Sequence, residues 1–459
     1  FGALLRCVEA AMRVVNHSPR QVDSPVDVHD GTIVQWEPGG LWYWYGMSYT
    51  DCETSGGFFG TLNNVLSGPE EVIGNLLSPR DFIGTACGMI GTPGAFGDTC
   101  GTLTVRSGQT VSVFASSNLV EWRRVGDAFD LPSSSTLADA ILFRPAVIRN
   151  RATGKYVLWV NVIPRGFSVL DGLLKASYRV GVASRPEGPF TLTATEPHMA
   201  LHADGDFGLL EHEGRAWIAY NSFQTDHSIA VQELDASFTD VAPGGNASIV
   251  SINDQENVAL FESGGKFYLI HGNLCCFCPE GSNVLLSVAL SPMGPYTRVR
   301  ELNPRDEHHM PRIPAQSNGV FKVQLSSGRQ QLVWSGDMWQ SSLSGLKGRD
   351  VQVWLPLDVH SDAPLNFTRT WQLGEFAKPI VAPFPPSRVG MEYAKLMQGG
   401  ASPFPRAHEH VGPHLEYFAV IMLVLIVSPF VVGGAVCFRL SRRGVEWWQK
   451  GPARTSYLV

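Results

Sequence analysis

One short pattern occurs five times in the sequence and restricts the fold more than any other feature. In each copy a glycine turn leads into a strand of aromatic and β-branched residues, and an apolar segment precedes the turn. This order is typical of a β-hairpin. The strands after the turns are in GGLWYWYG from position 39, GKYVLW from 154, GRAWIAY from 214, GKFYLI from 265 and GRQQLVW from 328. The apolar segments before them lie at 32–36, 146–149, 207–210, 258–261 and 319–323. The chain is therefore predicted to be all-β.

The spacing of the hairpins predicts how they are arranged. The turn glycines at 40, 154, 214, 265 and 328 are separated by 114, 60, 51 and 63 residues. Intervals of 51 to 63 residues match one four-stranded propeller blade with long loops. The first interval is longer because a stretch rich in Gly, Ser and Thr, at 50–109, is inserted in blade one. We predict a five-bladed β-propeller over residues 1–376, with one short helix around 3–15.

The composition excludes several classes of protein. Hydrophobic residues make up 44% of the 459 residues, so a fibrous or disordered chain is excluded. Charged residues are 17% and the net charge is −7, which gives no support to a nucleic-acid-binding groove. The chain has 12 Trp, 11 Tyr and 24 Phe, and such rings suit stacking on neutral sugars.

The C-terminal region contains a candidate membrane anchor. An uncharged apolar stretch at 417–438 is about 22 residues long, enough at roughly 1.5 Å per residue to cross a hydrocarbon layer of about 30 Å. Arginines follow it at 439, 442 and 443, so the positive-inside rule puts the C-terminus in the cytosol. We expect a type I protein whose partners include the lipid bilayer and whose propeller faces the secretory lumen or the cell exterior. Its parts after the propeller are a Pro- and Gly-rich stalk at 377–415, a transmembrane helix at 416–438 and a cytoplasmic tail at 439–459.

Other features fit passage through the secretory pathway. N-glycosylation sequons begin at Asn16, Asn246 and Asn366. Seven of the eight cysteines precede the predicted span and are expected to form disulfides, whose pairing the sequence leaves open. The chain starts at Phe1 without a charged and apolar leader, so a signal peptide is either removed or missing from this sequence.

No metal or cofactor is predicted. The cysteines at 275, 276 and 278 lack a second CxxC pair or a nearby His cluster, as a zinc site would require. His308 and His309 are adjacent, and adjacent residues on an extended strand point to opposite faces. Neither group therefore predicts a metal site.

Three acidic residues stand just before the first strand of a hairpin. They are Asp30 in blade one, Asp206 in blade three and Glu256 in blade four. The inner strands of a propeller surround one axis, so residues far apart in sequence converge at its mouth. One such acid is most simply a solvated turn residue. Three of them, in equivalent positions, predict a shared site.

Longer phrases occur in the same order as in a known family. They are WYWYG from 42, SSNLVEW from 116, RPAVI from 144, GDMW from 336 and VWLPL from 353. With the three acids, they make the chain resemble the five-bladed propeller glycosidases of glycoside hydrolase family 43 over residues 22–357. Within this family it looks most like the exo-β-1,3-galactanase branch. The resemblance implies hydrolysis of galactan-like or arabinose- or xylose-containing polysaccharides.

The resemblance also implies roles for the acids. Asp30 falls on the family's base, Glu256 on its proton donor, and Asp206 on the acid that orients that donor and disfavours its ionisation. Such a pair inverts the anomeric carbon: the donor protonates the leaving oxygen while the base activates a water on the opposite face. The galactanase branch is similar in having a Gln as an unusual base, which falls on Gln316, so Gln316 stays an alternative to Asp30.

Four more residues are candidates for substrate binding. Arg144 either binds a sugar hydroxyl or stabilises a carboxylate, or it forms a structural ion pair. His29 either orients Asp30 or a water, or is structural. Trp44 and Trp339 either stack on a sugar or pack in the core.

Two positions depart from the galactanase pattern. Met47 and Phe143 stand where that branch has glutamates that help hold the sugar. The departure favours an alternative function, in which a catalytically degenerate propeller binds a glycan or a protein without cleaving it. The three acids favour the enzyme.

Overall fold

The computed structural model describes the part of the chain that contains the predicted hairpins. The described residues belong to the first of two compact units, Phe1–Tyr393. They are residues 12–13, 26–49, 110–130, 137, 140–164, 175–222, 224–225, 227–251, 255–273, 281–304, 311–325, 327–339, 341–342, 346–362 and 364–365.

Within the described residues, twenty strands form five antiparallel sheets in chain order, and each sheet is one blade. Blade one contains β1 (Met12–Arg13), β2 (His29–Gln35), β3 (Trp42–Ser48), β4 (Thr110–Ser116) and β5 (Glu121–Asp127). Blade two contains β6 (Ile141–Asn150), β7 (Lys155–Ile163), β8 (Ser177–Ala183) and β9 (Thr191–Leu192). Blade three contains β10 (Phe207–His212), β11 (Arg215–Ser222), β12 (Ser228–Glu233) and β13 (Ser248–Ser251). Blade four contains β14 (Gln255–Ser263), β15 (Lys266–Asn273), β16 (Leu285–Ala289) and β17 (Thr297–Glu301), and blade five contains β18 (Gln316–Gln324), β19 (Gln330–Met338) and β20 (Val351–Leu357).

The first strands of the blades form a closed ring. β2 contacts β6, β6 contacts β10, β10 contacts β14, β14 contacts β18, and β18 returns to β2. All five predicted hairpins are present, as β2 with β3, β6 with β7, β10 with β11, β14 with β15 and β18 with β19. The prediction of an all-β, five-bladed propeller is therefore confirmed.

An apolar cluster fills each space between neighbouring blades. Blades one and two share the cluster that contains Tyr45 and Leu158, and blades two and three share the cluster around Trp159. Equivalent clusters lie between blades three and four, four and five, and five and one. Because the strands are buried on both faces, they consist of nearly continuous apolar residues, as β3 (WYWYGMS) does.

Glycines with a left-handed backbone make the hairpin turns. Gly154, Gly214, Gly265 and Gly328 have φ between 69° and 82°, a region that costs residues with a Cβ free energy. In the first hairpin the glycine with positive φ is Gly39, at 73°, rather than the predicted Gly40.

Some predictions fall on residues that the structure describes in part or not at all. The predicted helix at 3–15 is wrong at Met12–Arg13, which form the outermost strand of blade one and pair with Trp122 and Glu121. The insertion at 50–109 joins β3 to β4, and its own structure lies outside the described residues, as do all eight cysteines, Asn16, Asn366, His308 and His309.

The predicted stalk, span and tail at 377–459 also lie outside the described residues. Across the described part of the chain, the structure contains no helix with the length and apolar character needed to span a membrane.

Candidate active site

The first strands of four blades bulge near their N-terminal ends. Each register shift places one extra residue on the first strand, which bends that strand and re-aims its side chains. The shifts lie between His29 and Thr32 in β2, Phe143 and Ala146 in β6, Glu256 and Ala259 in β14, and Ser317 and Gly319 in β18.

Residues just inside three of these bulges have left-handed backbones. The φ angles are 52° at Asp30, 49° at Arg144 and 64° at Asn257. A non-glycine residue in this region costs of order 1–3 kcal/mol and persists where its surroundings hold it. The bulge in β2 also needs Gly31, since a Cβ there would stand 1.7 Å from the backbone oxygen of Tyr45. Three of the seven described non-glycine residues with positive φ thus lie at the predicted site residues or directly beside them.

The guanidinium of Arg144, on blade two, contacts all four other blades. Its Nε lies 2.7 Å from Oδ1 of Asp30, and its Nη2 lies 2.8 Å from Oδ2 of Asp206. Nη2 also donates to Oδ1 of Asn257 at 3.1 Å, and Nη1 donates to the backbone oxygen of Ser317 at 2.9 Å. The Arg144 side chain is 3% exposed. Its contacts bring parts of all five first-strand regions together at the axis.

Glu256, the third acid, also interacts electrostatically with Arg144. Burial lowers the pKa of Arg144, but the charges of Asp206, Asp30 and Glu256 outweigh burial, and the pKa is raised overall. Arg144 therefore stays a cation among three carboxyl groups. Arg144 forms two close ion pairs with the predicted acids, and its contact with a sugar stays a prediction.

Asp206 connects the arginine to blade four. Its Oδ2 accepts the backbone N–H of Asn257 at 2.9 Å in addition to the contact with Arg144. Asn257 directly follows Glu256, so Asp206 fixes the backbone beside the predicted proton donor. Asp206 is less buried than the other two acids, with 17% of its side chain exposed.

The indole N–H of Trp339 determines which way the Gln316 amide is oriented beside Glu256. Trp339 Nε1 lies 2.6 Å from Oε1 of Gln316, and an indole N–H can only donate. The amide oxygen of Gln316 therefore faces Trp339, and its Nε2 donates to Oε1 of Glu256 at 3.1 Å. In this arrangement Gln316 holds the carboxylate of Glu256, and its own oxygen is already an acceptor. The geometry favours Asp30 over Gln316 as the base.

Asp30 is held at its backbone as well as at its carboxylate. Its N–H donates to Oδ2 of Asp337 at 2.8 Å. Burial raises the pKa of the Asp30 carboxyl well above its ordinary value, and the charges of Asp206 and Asp337 add to this rise, although the guanidinium of Arg144 opposes it. Asp30 thus loses its proton at a higher pH than an exposed aspartate.

His29 is fully buried beside Asp30. Its Nδ1 lies 3.2 Å from Oδ1 of Asp337 and 3.0 Å from Nε2 of Gln352. Burial lowers the pKa of His29, but the hydrogen bond and charge of Asp337, assisted by Asp27 and Asp350, raise it overall. These contacts place His29 among structural partners and next to the predicted base.

The two predicted tryptophans lie in different places. Trp339 is near the acids through Gln316, and its ring centroid lies 5.6 Å from that of His29. Trp44 is 1% exposed and packs edge-on against Trp122 and Trp354, between blades one and five. Of the two alternatives for Trp44, the structure shows core packing and corrects its assignment to substrate binding, because its ring is enclosed by other side chains.

The two departures from the galactanase pattern come together in the fold. Met47 is paired across strands with His29, and Phe143 precedes Arg144. Both belong to one buried apolar cluster, whose other members are Tyr49, Ile141, Ile163, Ala176 and Trp339. An apolar cluster therefore lies beside the acids, at the two positions where the galactanase branch has glutamates.

The three acids are not in equivalent strand positions, which corrects the sequence argument. Asp30 stands inside its bulge, as Asn257 does, whereas Glu256 precedes its bulge, as His29 does. Asp206 precedes β10, whose described pairs have a regular register. The acids approach one another because their strands surround one axis, and not because they repeat one position.

The sequence reasoning did not single out Asp337, Asn257, Asn318 or Gln352. A signal was present, since Asp337 lies in the phrase GDMW and Asn257 follows Glu256 directly. Within the described residues, no group of three or more His, Cys, Asp or Glu side chains is suited to hold a metal ion.

Known proteins match both the sequence and this fold. The family model for glycosyl hydrolases family 43 matches residues 99–325. The exo-β-1,3-galactanase of Phanerochaete chrysosporium, solved with galactose, is 20% identical with a TM-score of 0.53, over 77% of this chain and 66% of that one. The exo-β-1,3-galactanase of Clostridium thermocellum is 17% identical with a TM-score of 0.52, over 78% and 64%. A family 43 β-1,3-galactosidase, solved with galactodeoxynojirimycin, is 16% identical with a TM-score of 0.53, over 78% and 99%. No curated protein matches the chain.

These findings define the class of protein. At identities of 16–20% the solved structures show the fold alone, and this chain covers slightly less than two thirds of the Phanerochaete galactanase, at 66%. The family model adds the relationship in sequence, and it confirms the resemblance to family 43. By fold the chain is a five-bladed propeller, and over residues 99–325 its sequence matches the family 43 glycosyl hydrolases.

Proposed function

We propose that the chain hydrolyses O-glycosidic bonds of galactan-like or arabinose- or xylose-containing polysaccharides, with inversion at the anomeric carbon. The observation that carries the proposal is that the three acids converge on Arg144. Arg144 forms ion pairs with Asp30 and Asp206, and the charge of Glu256 raises its pKa. Two carboxyl groups of different environment at one axis are what an inverting glycosidase needs.

The proposed reaction assigns one step to each group. Glu256, held by Gln316, donates its proton to the glycosidic oxygen as the bond to the anomeric carbon breaks. Asp30 takes a proton from a water whose oxygen forms the new bond on the opposite face. Asp206 holds Arg144 and the backbone of Asn257, which fixes the distance between donor and base. Asp30 acts only when ionised, so turnover falls as the pH decreases through its raised pKa.

Galactan is the first substrate to test because the similar solved structures are named exo-β-1,3-galactanases and β-1,3-galactosidases. Pentose substrates are included because of Met47 and Phe143. Neither side chain hydrogen-bonds a sugar hydroxyl as the glutamates of the galactanase branch do, so galactose is not the only sugar to test.

The test is sugar release by the purified full-length chain in detergent. β-1,3-Galactan, arabinan and an aryl xyloside are incubated separately, and released monosaccharide is measured by chromatography. Proton NMR at early times gives the anomer. We expect one substrate to release a monosaccharide with inverted configuration. Retained configuration would contradict the two-carboxylate assignment, and no release from any substrate would contradict the hydrolase proposal.

Met47 and Phe143 also favour a second candidate, a propeller that binds a glycan or a protein without cleaving it. Their side chains are buried in an apolar cluster beside the acids, at positions where the galactanase branch has glutamates that help hold the sugar. Isothermal titration with the same glycans separates the two candidates. Binding without release supports the binding module, whereas binding with release supports the enzyme.

We also propose that residues 417–438 anchor the chain with its propeller in the secretory lumen or outside the cell. Asn246, the one sequon asparagine among the described residues, is exposed in the connection between β12 and β13. This placement makes the site accessible to the glycosylation machinery. An Asn246→Gln variant expressed in a eukaryotic cell should lose the mobility shift caused by endoglycosidase treatment at this site. A propeller digested by protease added to the cytosolic side of sealed microsomes would contradict the orientation.

A further inference from the structure

A buried carboxylate on blade five links the first strands of two blades. Asp337 lies on β19 and is 0% exposed. Its Oδ2 accepts the backbone N–H of Asp30 at 2.8 Å and Nδ2 of Asn318 at 2.8 Å. Its Oδ1 accepts a hydrogen bond from Nε2 of Gln352 and lies 3.2 Å from Nδ1 of His29. Asp337 thus contacts both residues that precede Gly31 in β2.

The bond to Asp30 acts on a strained point of the backbone. Asp30 has a φ of 52° within the bulge of β2, and such a conformation persists only where its surroundings hold it. Asp337 holds the N–H at one end of the residue, and Arg144 holds the carboxylate at the other end, with 2.7 Å between Nε and Oδ1. Two attachments on opposite sides fix the direction in which the carboxylate points.

Asn318 and Gln352 hold Asp337 in turn. Gln352 is its cross-strand partner on β20, and Asn318 lies at the bulge of β18, so blade five supplies both donors. Neither donor carries a charge, and each gives Asp337 one hydrogen bond. The carboxylate is therefore held at a defined place without a compensating ion pair at Oδ2.

We propose that Asp337 is a positioning residue that sets the backbone of Asp30 and the imidazole of His29, so that Asp30 can activate the attacking water. This inference rests on the proposed function of Asp30. Asp337 does not touch the Asp30 carboxylate through a hydrogen bond, and it takes no part in proton transfer. Its hydrogen bond to the Asp30 backbone fixes the base on blade one relative to blade five.

The charged groups around both residues determine the pH dependence. Asp30 faces Arg144 from β6, Asp206 from the segment before β10, and Asp337 from β19. His29 faces Asp337, together with Asp27 before β2 and Asp350 before β20. Removing the charge of Asp337 lowers the pKa of Asp30 and the pKa of His29, because in both cases Asp337 favours the protonated form.

The test is Asp337→Asn in the full-length chain, compared with the wild type across pH. We expect kcat to fall about tenfold or more, as small misplacements of a reacting group do, with little change in KM. The acidic limb of kcat/KM should move to lower pH. Asp127→Asn is the matched control, because Asp127 is a part-exposed aspartate in an ion pair with Arg124 on β5. An unshifted limb with kcat within about twofold of the wild type would overturn the proposal.

A second variant keeps the proposal testable if Asp337→Asn does not fold. Gln352→Leu removes one donor to Asp337 but keeps its charge. We expect kcat to fall several-fold while the acidic limb stays in place. An unchanged kcat in this variant contradicts the positioning role.

A readout that needs no substrate separates this inference from the proposed function. The imidazole of His29 is titrated by ring ¹H–¹⁵N NMR in the wild type and in Asp337→Asn, or in Gln352→Leu if the first variant does not fold. The pKa of His29 should decrease in Asp337→Asn and show little change in Gln352→Leu. If the wild type releases no sugar, the hydrolase proposal fails, and an unchanged His29 titration in Asp337→Asn refutes the link between Asp337 and blade one.

Discussion

Arg144 is the residue at which the contacts of the candidate site converge. It is 3% exposed, and its ion pairs to Asp30 and Asp206 span three blades. A buried charge is tolerated when every nearby opposite charge and polar group is matched. Around the guanidinium lie two carboxylates, an amide oxygen and a backbone carbonyl, which offset its buried charge. Its planar shape, which a lysine lacks, permits these contacts in several directions.

Replacing Arg144 should destabilise the propeller strongly. Arg144→Met leaves Asp30 and Asp206 buried without their cation, and breaking a buried pair in this way costs about 3–5 kcal/mol. Arg149→Met is the matched control on the same strand, since Arg149 pairs with the exposed Glu37 and such a pair contributes under about 1 kcal/mol. The measurement is chemical denaturation followed by fluorescence. Equal losses in the two variants would contradict the role of Arg144 as a buried link.

Replacing Trp44 should change the stability of the propeller, whereas replacing Trp339 should change its activity. Trp44→Phe loosens the cluster between blades one and five and should cost about 1–3 kcal/mol without changing kcat or KM. Trp339→Phe removes the N–H that orients Gln316 and should lower kcat by up to about tenfold, the scale of one hydrogen bond. Melting curves and steady-state kinetics of both variants are the measurements. A loss of kcat in Trp44→Phe alone would contradict the placement of both residues.

The hairpin is the element whose sequence signal is strongest. Glycines at the turns and apolar residues on both sides are local properties, so all five hairpins could be predicted. The bulges could not, because an extra residue in β2 or β14 is defined by its pairing with the next strand. For the same reason the sequence placed Asp30 and Glu256 in equivalent positions, although they differ by one residue relative to the bulge.

The bulge in β2 should depend on Gly31. A Cβ at this position would stand 1.7 Å from the Tyr45 oxygen, so Gly31→Ala should cost about 3 kcal/mol or more. Gly154→Ala is the control, because its turn has φ of 69° and nothing within 4 Å of an added Cβ. That variant should lose about 1–2 kcal/mol from the left-handed backbone alone. Thermal unfolding of both proteins tests the difference, which vanishes if β2 can shift away from β3.

At the scale of the whole molecule, five apolar clusters between blades hold the ring closed. The intervals between hairpins predicted the number of blades. The positions of the three acids before the hairpin strands singled them out, and the family resemblance gave each acid its role. The network of Asp337, Gln352 and Asn318 could not be predicted, since it joins positions about 300 residues from Asp30 and depends on how blade five meets blade one. Closure of the ring therefore creates the site that no single blade contains.

The most direct measurement of the central claim is sugar release by Glu256→Gln and Glu262→Gln, compared with the wild type. Both glutamates lie on β14, but Glu262 is at the far end, paired with Lys322. Loss of a general acid reduces turnover by about 10²–10⁴-fold. We predict such a loss for Glu256→Gln with unchanged melting temperature, and wild-type turnover for Glu262→Gln. Wild-type turnover in Glu256→Gln would contradict the assignment of Glu256 as the proton donor at the propeller axis.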